Sequence, residues 1–377
     1  MRPDPERYPA WPDPATTTLV GLHQKWIQNR RPNVETQRAF RAAIDKLVAF
    51  VGFDDVTRLT TADIRRWCAS LKERGDVGGI RIRDGYLAAV KAVLNSAVTL
   101  GYLAKNPADK IKVDIEPTQE RREKDLRDSE IYAILRAAAG PFEDDVSDDV
   151  RNARKWVPWL CAYTGVRVAE LTPLESHHAI REDGIDGIHI ETSKTHRTRK
   201  IPMHQDLKNR GFLEFVASRR GQPLFFPKDK LLDGALLNIH RTRAEGLAEW
   251  VRTLEGMAEA AVAPNHGSRH RFRTECRRIF MDREVRNYLM GHAVETVGEG
   301  YGHVPLDVSA PWIEMFPRFD VSGPEFVVHR KFDLSLLTQA ASRMAELRGF
   351  GVAESTLGLS NAPHSAPRRL RAVGTAA

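Results

Sequence analysis

The second half of the chain carries side chains that could break a phosphodiester bond without a metal ion. Arginine suits a phosphate, because its planar guanidinium gives paired hydrogen bonds to anionic oxygens. Fixed cations also lower the barrier, since the transition state gathers negative charge on those oxygens. A tyrosine can serve as the nucleophile, and other side chains can carry the protons. The residues of this set are Arg167, Lys194, His266, Arg269, His292 and Tyr301.

The order and spacing of these residues are more specific than any one of them. Arg167 ends the sequence Thr-Gly-Val-Arg, and His266 forms an H-x-x-R pair with Arg269. His292 follows Arg269 by 23 residues, and Tyr301 follows His292 by nine. Each short motif alone occurs by chance in many proteins. Together they resemble the active site of the tyrosine recombinases, the phage integrase family, over about residues 16 to 305.

The resemblance implies a role for each residue of the set. Arg167 and Arg269 would clamp the phosphate, with His292 as a third donor. The resemblance further implies that His266 assists Tyr301 and that Lys194 protonates the leaving 5′ oxygen. Attack by the tyrosine would yield a 3′-phosphotyrosine and a free 5′ hydroxyl. The bond energy is conserved in the adduct, so neither a cofactor nor a metal is expected.

The lysine assignment has an alternative. The segment SKTHRTRK contains Lys194 and Lys200 with no acidic residue between them, which is also typical of a solvated basic loop. Lys194 is preferred because it stands in a Lys-Thr pair at the end of a predicted strand, as the family's lysine does. Other basic residues near the motifs are candidates for contact with the DNA backbone: Arg197, Arg199, Lys200, Arg271 and Arg273.

A metal-dependent alternative is not favoured. His266 and His270 are four residues apart, but Gly267 stands where an H-E-x-x-H zinc site needs glutamate. The three cysteines form no C-x-x-C pair, so neither a disulfide framework nor a cysteine zinc site is predicted. A reducing cytoplasm is the expected compartment.

Composition is compatible with this chemistry without requiring it. The 377 residues suffice for two domains, with 42% apolar and 28% charged residues. The net charge of +7 suits a polyanionic partner, although many soluble proteins carry such a charge. The N-terminus has no apolar core of a signal peptide, and no run of eighteen apolar residues predicts a membrane span.

Periodicity predicts a small all-helical domain in residues 16–105, after an extended lead at 1–15. Four apolar stripes predict four helices, and Thr60 or Thr61 is expected to cap the third. The charged, proline-containing segment 106–124 reads as a linker.

A second domain is predicted for 125–320, mostly helical with a small antiparallel sheet. WVPWLCAY is expected to form a buried helix with Pro158 in its first turn, and 187–192 and 200–204 to form a hairpin. After Tyr301 we expect a proline-rich loop. The C-terminal extension, 321–377, should hold a helix from Leu334 to Leu347 and a disordered tail from Gly349.

The sequence therefore predicts a mainly α protein with a small antiparallel β-sheet. The resemblance implies a helical core-binding (SAM-like) domain and an α+β catalytic domain. It implies a site-specific DNA recombinase that integrates or excises a phage or genomic island. A type IB topoisomerase-like enzyme and a non-catalytic DNA-binding regulator on this fold are the alternatives.

The expected partners follow from that function. They are double-stranded DNA attachment sites and, in the synapse, three further copies in a homotetramer. The free chain is expected to be a monomer or weak oligomer. Accessory DNA-bending proteins are possible partners, no membrane is expected, and the protein should lie with the nucleoid in the cytoplasm.

Overall fold

The computed structural model describes residues 17–115, 122–143, 145–191, 198–227, 236–257, 262–292, 303–323, 327–330 and 333–349, with the backbone alone at 236–238. The chain divides into two compact units, Met1–Glu120 and Arg121–Ala377. The division falls inside the segment predicted to be a linker. The predicted lead at 1–15 and the tail beyond Gly349 lie outside the described residues.

The first unit is built from helices, as the four apolar stripes predict. They are α1 (Leu19–Arg30), α2 (Val34–Val51), α3 (Thr61–Glu73), and α4 (Gly79–Arg81), which continues through a π-helical turn at Ile82–Leu87 into α5 (Ala88–Thr99). Thr60 caps α3 in a capping box with Asp63. Apolar side chains from these helices, including Ile44, Trp67 and Val90, form one buried core.

The second unit begins with three helices and a sheet. The helices are α6 (Asp128–Ala138), α7 (Asp148–Thr164) and α8 (Val168–Leu171). The strands β1 (Ala179–Glu182), β2 (Ile185–Ile190) and β3 (Arg199–Pro202) form an antiparallel sheet in the order β1-β2-β3. In the predicted hairpin, Gly187 pairs with Pro202 and Ile190 with Arg199. The hairpin is therefore confirmed, and β1 is a strand that the sequence did not predict.

The remainder of the second unit surrounds that sheet and α7. It comprises α9 (Gln205–Asn209), α10 (Phe212–Ser218), α11 (Leu236–Thr253), α12 (Pro264–Arg278), α13 (Arg283–Met290), α14 (Leu306–Glu314), the hairpin of β4 (Arg318–Asp320) and β5 (Val327–His329), and α15 (Leu334–Leu347). The core of this unit is distinct from that of the first and includes most of α7.

Helix α7 is buried as predicted, but the expected place of Pro158 is wrong. The helix begins ten residues before the proline, at Asp148, so Pro158 lies in its interior. The first turns of α7 are polar and contain Asp148 and Asp149, so a prediction based on apolar runs did not find where the helix begins. Asp148 and Asp149 suit the positive end of the helix dipole. Tyr163, near the other end, is fully buried and donates to Asp206 Oδ2 at 2.7 Å.

The segment after Tyr301 also differs from expectation. The predicted proline-rich loop contains α14, with Pro305 at its N-cap and Pro311 inside it. Apolar side chains around Trp312 and Ile313 bury this helix, which offsets the cost of an internal proline. The predicted C-terminal helix is confirmed as α15. It packs on α14 and buries Ala340 and Met344. No helix within the described ranges is long and apolar enough to cross a bilayer.

The buried ring of His204 makes the stability of the second unit pH-dependent. Its Nδ1 accepts from the Asp206 amide at 2.9 Å, its Nε2 lies 3.2 Å from the Phe316 carbonyl, and the ring stacks on Tyr163. Burial lowers the pKa of His204 to about 4. A proton on Nδ1 would face the Asp206 N–H, so protonation favours the unfolded chain.

We predict that the free energy of unfolding falls as the pH drops from 6.5 towards 4, by up to about 3 kcal/mol from His204. Above 6.5 this contribution is fully present. Urea titrations across this pH range should show a shallower decline for His204→Gln. The exposed His329→Gln is the matched control and should follow the wild-type curve. Equal slopes for all three proteins would contradict the prediction.

Candidate active site

The turn between α7 and α8 presents Arg167. Gly165 ends α7 with a φ of +62°, and Arg167 stands at the N-cap of α8. Arg167 Nη1 donates to Glu170 Oε1 at 3.0 Å, and the Arg167 amide lies 3.3 Å from Glu170 Oε2. The Glu170 carboxylate is buried, whereas 27% of the Arg167 side chain is exposed. The buried Glu170 carboxylate thus holds the Arg167 guanidinium, which remains accessible to solvent.

Gly165 also brings α12 close to this turn. A Cβ on Gly165 would lie 2.3 Å from the Phe272 ring of α12, so no other residue fits without displacement. The Gly165 carbonyl accepts a hydrogen bond from Arg269 Nη1 at 2.7 Å. The close approach of the two helices therefore places the second predicted clamp arginine beside the first.

Arg269 is buried and only partly paired. Its Nη2 is buried and has no hydrogen-bond partner among the described residues. Burial, together with the nearby charges of Arg167 and Arg199, lowers the pKa of Arg269 to about 10. The side chain stays protonated at neutral pH, so a cation with a free donor lies in this region.

The end of α13 presents His292. Gly291 terminates the helix with a φ of +62°, and its carbonyl accepts from Arg167 Nη1 at 3.3 Å. The pKa of His292 is lowered to about 4, first by burial and then by the charges of Arg269, Arg273, Arg167 and Arg286. At neutral pH the ring is uncharged, with one N–H to donate.

His266 lies on the same helix as Arg269 and is exposed. It stands in the first turn of α12, three residues before Arg269, a spacing that puts both on one helix face. His270 follows one turn later, and its pKa is lowered by burial and by the charge of His266. The structure thus brings Arg167, Arg269 and His292 together and sets His266 on the adjoining face.

A second histidine pair shows metal-like spacing. Among the described residues, the side chains close enough to share an ion are His177, His178 and Glu191. His178 Nδ1, however, accepts a hydrogen bond from the Glu175 amide at 2.9 Å. The proton of the neutral ring therefore lies on Nε2. His178 therefore serves as a cap for its turn, and neither His266 nor His270 belongs to this group.

Three predicted residues, Lys194, Arg197 and Tyr301, lie outside the described residues. The residues that flank them are described. Lys194 belongs to the connection between the paired residues Ile190 and Arg199. Tyr301 follows His292 by nine residues and precedes α14.

Two of the arginines predicted to contact DNA are buried instead. Arg199 Nη2 donates to Glu170 Oε2 at 2.6 Å, and Arg199 Nε donates to the Leu289 carbonyl at 3.0 Å. Arg271 is buried next to Leu126, whose carbonyl accepts from its Nη1 at 2.9 Å. Neither guanidinium is free for a solvent-side phosphate. The sequence missed this because a run of basic residues does not reveal which ones face inwards.

The remaining basic candidates differ in their surroundings. Lys200 Nζ pairs with Glu182 on β1. Arg273 is exposed on α12. Arg286, which the sequence did not single out, is half-buried with an Nε that lacks a partner in the described part of the chain. Burial and the charges of Arg273, Arg277 and Arg283 lower the pKa of Arg286, so positive charge extends along this face.

The comparisons with known proteins place this geometry in a fold. No protein-family model matches the sequence, and no curated protein matches it. About three quarters of the chain resembles solved structures. One is a lambda integrase tetramer bound to a Holliday junction, with a TM-score of 0.51, 16% identity, and coverage of 75% of this chain and 76% of that chain.

Another is a variant of the Tn1549 transposon integrase in complex with a circular intermediate DNA. It has a TM-score of 0.53 and 20% identity, and the match covers 78% of this chain and 97% of that chain. The predicted fold class, mainly helical with small antiparallel sheets, is confirmed. The chain has the fold of the tyrosine recombinases.

Proposed function

We propose that the chain is a site-specific DNA recombinase that cleaves and rejoins strands through a 3′-phosphotyrosine. The observation that carries this is the cluster of Arg167, Arg199 and Arg269 around the single carboxylate of Glu170. The positive charge of this cluster exceeds the negative charge of its carboxylate. Within the described ranges, Arg199 Nη1 and Arg269 Nη2 are buried donors without a partner. A phosphate would supply both the missing charge and the missing acceptor.

The chemistry assigned to the described residues follows from their protonation. Arg167 and Arg269 would hold the two non-bridging oxygens of the scissile phosphate. His292, uncharged at neutral pH, would donate its N–H to one of them. A neutral donor is useful here, because it stabilises developing charge without binding the ground-state anion as strongly as another cation would.

The remaining steps complete the proposal with Tyr301 and Lys194, which lie outside the described ranges, and with His266 of α12. The Tyr301 oxygen would attack phosphorus and give up its proton with the help of His266. The bond from phosphorus to the 5′ oxygen would break, with Lys194 protonating that oxygen. The pairing of Lys200 with Glu182 supports Lys194 over its rival, since a general acid needs access to the leaving group. A 5′ hydroxyl from another strand would attack the phosphotyrosine and reverse these steps, which rejoins the DNA and releases Tyr301.

The rival functions predict different outcomes in two assays. A nicked suicide substrate, cut from the DNA flanking the encoding element, should trap a covalent adduct if the chain is catalytic. A DNA-binding regulator would bind and form none. Strand exchange between two differently marked sites then separates a recombinase from a type IB topoisomerase-like enzyme, which would relax supercoils without exchange.

The finer biological role belongs to the same proposal. It comprises integration or excision of a phage or genomic island, a homotetrameric synapse, and work on the nucleoid with accessory DNA-bending proteins. Strand exchange that requires two sites and a fourfold protein stoichiometry, measured by light scattering of the isolated synapse, would support it. Full exchange by an isolated monomer would contradict the tetramer.

We predict that Tyr301→Phe binds its DNA site normally and forms no covalent adduct, because the change removes only the nucleophilic hydroxyl. Tyr288→Phe is the matched control, as Tyr288 lies in α13, and its hydroxyl accepts from the Lys200 amide at 3.1 Å. It should still form the adduct, as should the buried Tyr163→Phe. Mass spectrometry of a trapped wild-type adduct should place the nucleotide on the peptide with Tyr301. An adduct elsewhere would overturn the assignment.

We further predict that Arg269→Lys slows cleavage by about 10²–10³-fold, if Arg269 acts as a preorganised charge-stabilising donor. Affinity for DNA should change little, because it is spread over many phosphate contacts. Arg271→Lys, a second buried arginine of α12, is the control and should cleave at nearly the wild-type rate. Single-turnover cleavage and gel shifts measure the two properties. If folded Arg269→Lys loses DNA binding, the separation of cleavage from affinity at Arg269 is contradicted.

A third expectation concerns Arg273, exposed on α12 near His292. If it contacts one backbone phosphate, Arg273→Gln should lower the slope of log affinity against log salt by about 1. Arg278→Gln is the control, because Arg278 is exposed on the same helix but paired with Glu275 at 2.5 Å. Identical salt slopes for Arg273→Gln and wild type, from titrations at several salt concentrations, would rule the contact out.

A further inference from the structure

Arg199 is an unusual buried cation. Only 3% of the residue is exposed, and its guanidinium joins two parts of the chain that are distant in sequence. Nη2 donates to Glu170 Oε2 at 2.6 Å, and Nε donates to the Leu289 carbonyl at 3.0 Å. The third nitrogen, Nη1, is buried without a hydrogen-bond partner among the described residues. A buried unpaired donor carries a cost, so the geometry calls for a reason.

The first of the two parts is the turn that presents Arg167. Glu170 uses one carboxylate oxygen for Arg199 and the other for Arg167 Nη1, at 3.0 Å. The carboxylate is buried and so cannot swing freely between partners. Its Oε2 accepts from Arg199 Nη2 and also lies 3.3 Å from the Arg167 amide, so Arg199 helps to hold the carboxylate against the turn of Arg167.

The second part is the turn that presents His292. The Leu289 carbonyl belongs to the last turn of α13, and Gly291 follows it with a φ of +62°. The Arg199 guanidinium lies directly against Gly291, where an added Cβ would fall 2.8 Å from its carbon Cζ. Arg199 therefore contacts this turn at two points, the Leu289 carbonyl and Gly291, directly before His292.

We infer that Arg199 is a positioning residue, which holds the turns of Arg167 and His292 in a fixed mutual geometry for phosphate. The inference rests on the proposed function, because it concerns the same reacting phosphate. Arg199 itself does not touch the substrate, since its guanidinium is buried behind Glu170 and Gly291. Its effect reaches the phosphate through the two residues that it orients.

The chemistry of this position requires arginine. A guanidinium has donors on separate nitrogens in a rigid plane, so it can serve Glu170 and the Leu289 carbonyl at the same time. A lysine ammonium carries the same charge on one atom. Arg199→Lys can therefore keep the ion pair with Glu170 but cannot hold the α13 turn in the same position.

The test compares single-turnover cleavage by wild type and Arg199→Lys on the suicide substrate. We expect the rate to fall by about 10- to 100-fold, because a displacement of about 1 Å at a reacting centre has effects of this size. Affinity for DNA, measured by gel shift, should stay within about twofold. Arg210→Lys is the matched control, as Arg210 also joins a buried carboxylate, Asp206, to a backbone carbonyl, that of Phe319.

A second substrate separates positioning from general destabilisation. A methylphosphonate at the scissile position replaces one charged oxygen with a methyl group, so cleavage depends less on cationic stabilisation. If Arg199 acts through the phosphate clamp, the rate ratio of wild type to Arg199→Lys should shrink on this substrate by about 10-fold. A purely structural defect would leave the ratio the same on both substrates.

The outcomes are distinct. If Arg199→Lys cleaves as fast as wild type, or its deficit is equal on both substrates, the inference is overturned while the proposed function stands. If wild type itself forms no adduct, the proposed function fails and takes the inference with it. If circular dichroism shows that Arg199→Lys is unfolded, Arg199→Gln, which can still donate to one partner, is carried through the same comparison.

Discussion

The bond between the Glu170 carboxylate and two arginines is the interaction on which the candidate site depends. Through Arg167 it fixes the start of α8, and through Arg199 it fixes the start of β3. Arg199 then donates to the Leu289 carbonyl at the end of α13, so the pair of Glu170 and Arg199 joins three elements. Removal of one partner from a buried ion pair leaves an uncompensated charge, which costs far more than a surface pair contributes. Glu170 therefore stabilises the fold and also links the turn that carries Arg167 to the turn that carries His292.

The excess of positive charge around the Glu170 carboxylate explains how arginines that stabilise the fold could also bind an anion. Arg167, Arg199 and Arg269 surround one described acid, and burial together with mutual repulsion lowers the pKa of Arg269. Burial and, after it, the same positive surroundings lower the pKa of His292 to about 4 and keep the ring neutral. Under the proposed function, such a site would be unfavourable when empty and favourable when a phosphate enters. Preorganised, unsatisfied donors would then lower the stability of the free protein slightly and strengthen the stabilisation of a more highly charged transition state.

Two glycines make this arrangement possible by the same physical means. Gly165 and Gly291 each end a helix with a φ of +62°, a conformation that side chains with a Cβ rarely adopt. Each leaves no room for a Cβ, against Phe272 in one case and Arg199 in the other. The carbonyl of each accepts a hydrogen bond from an arginine of the candidate site: that of Gly165 from Arg269, and that of Gly291 from Arg167. The backbone carbonyls of the two turns therefore hold the side chains of the two arginines.

The sequence alone determined most of the helices and the hairpin, because these depend on local periodicity and turn residues. Motif spacing alone predicted the residues of the candidate site. The sequence could not locate the start of α7, the helix around Pro311 or the strand β1, whose signals are polar, proline-containing or short. Nor could it tell buried arginines from exposed ones: Arg199 and Arg273 look alike in a basic run. Burial is decided by which chain segments pack together, and that information resides in contacts between residues far apart in sequence. Only the tertiary structure, by joining α8, β3 and α13 through Glu170 and Arg199, assigned Arg199 to the interior and left Arg167 open to solvent.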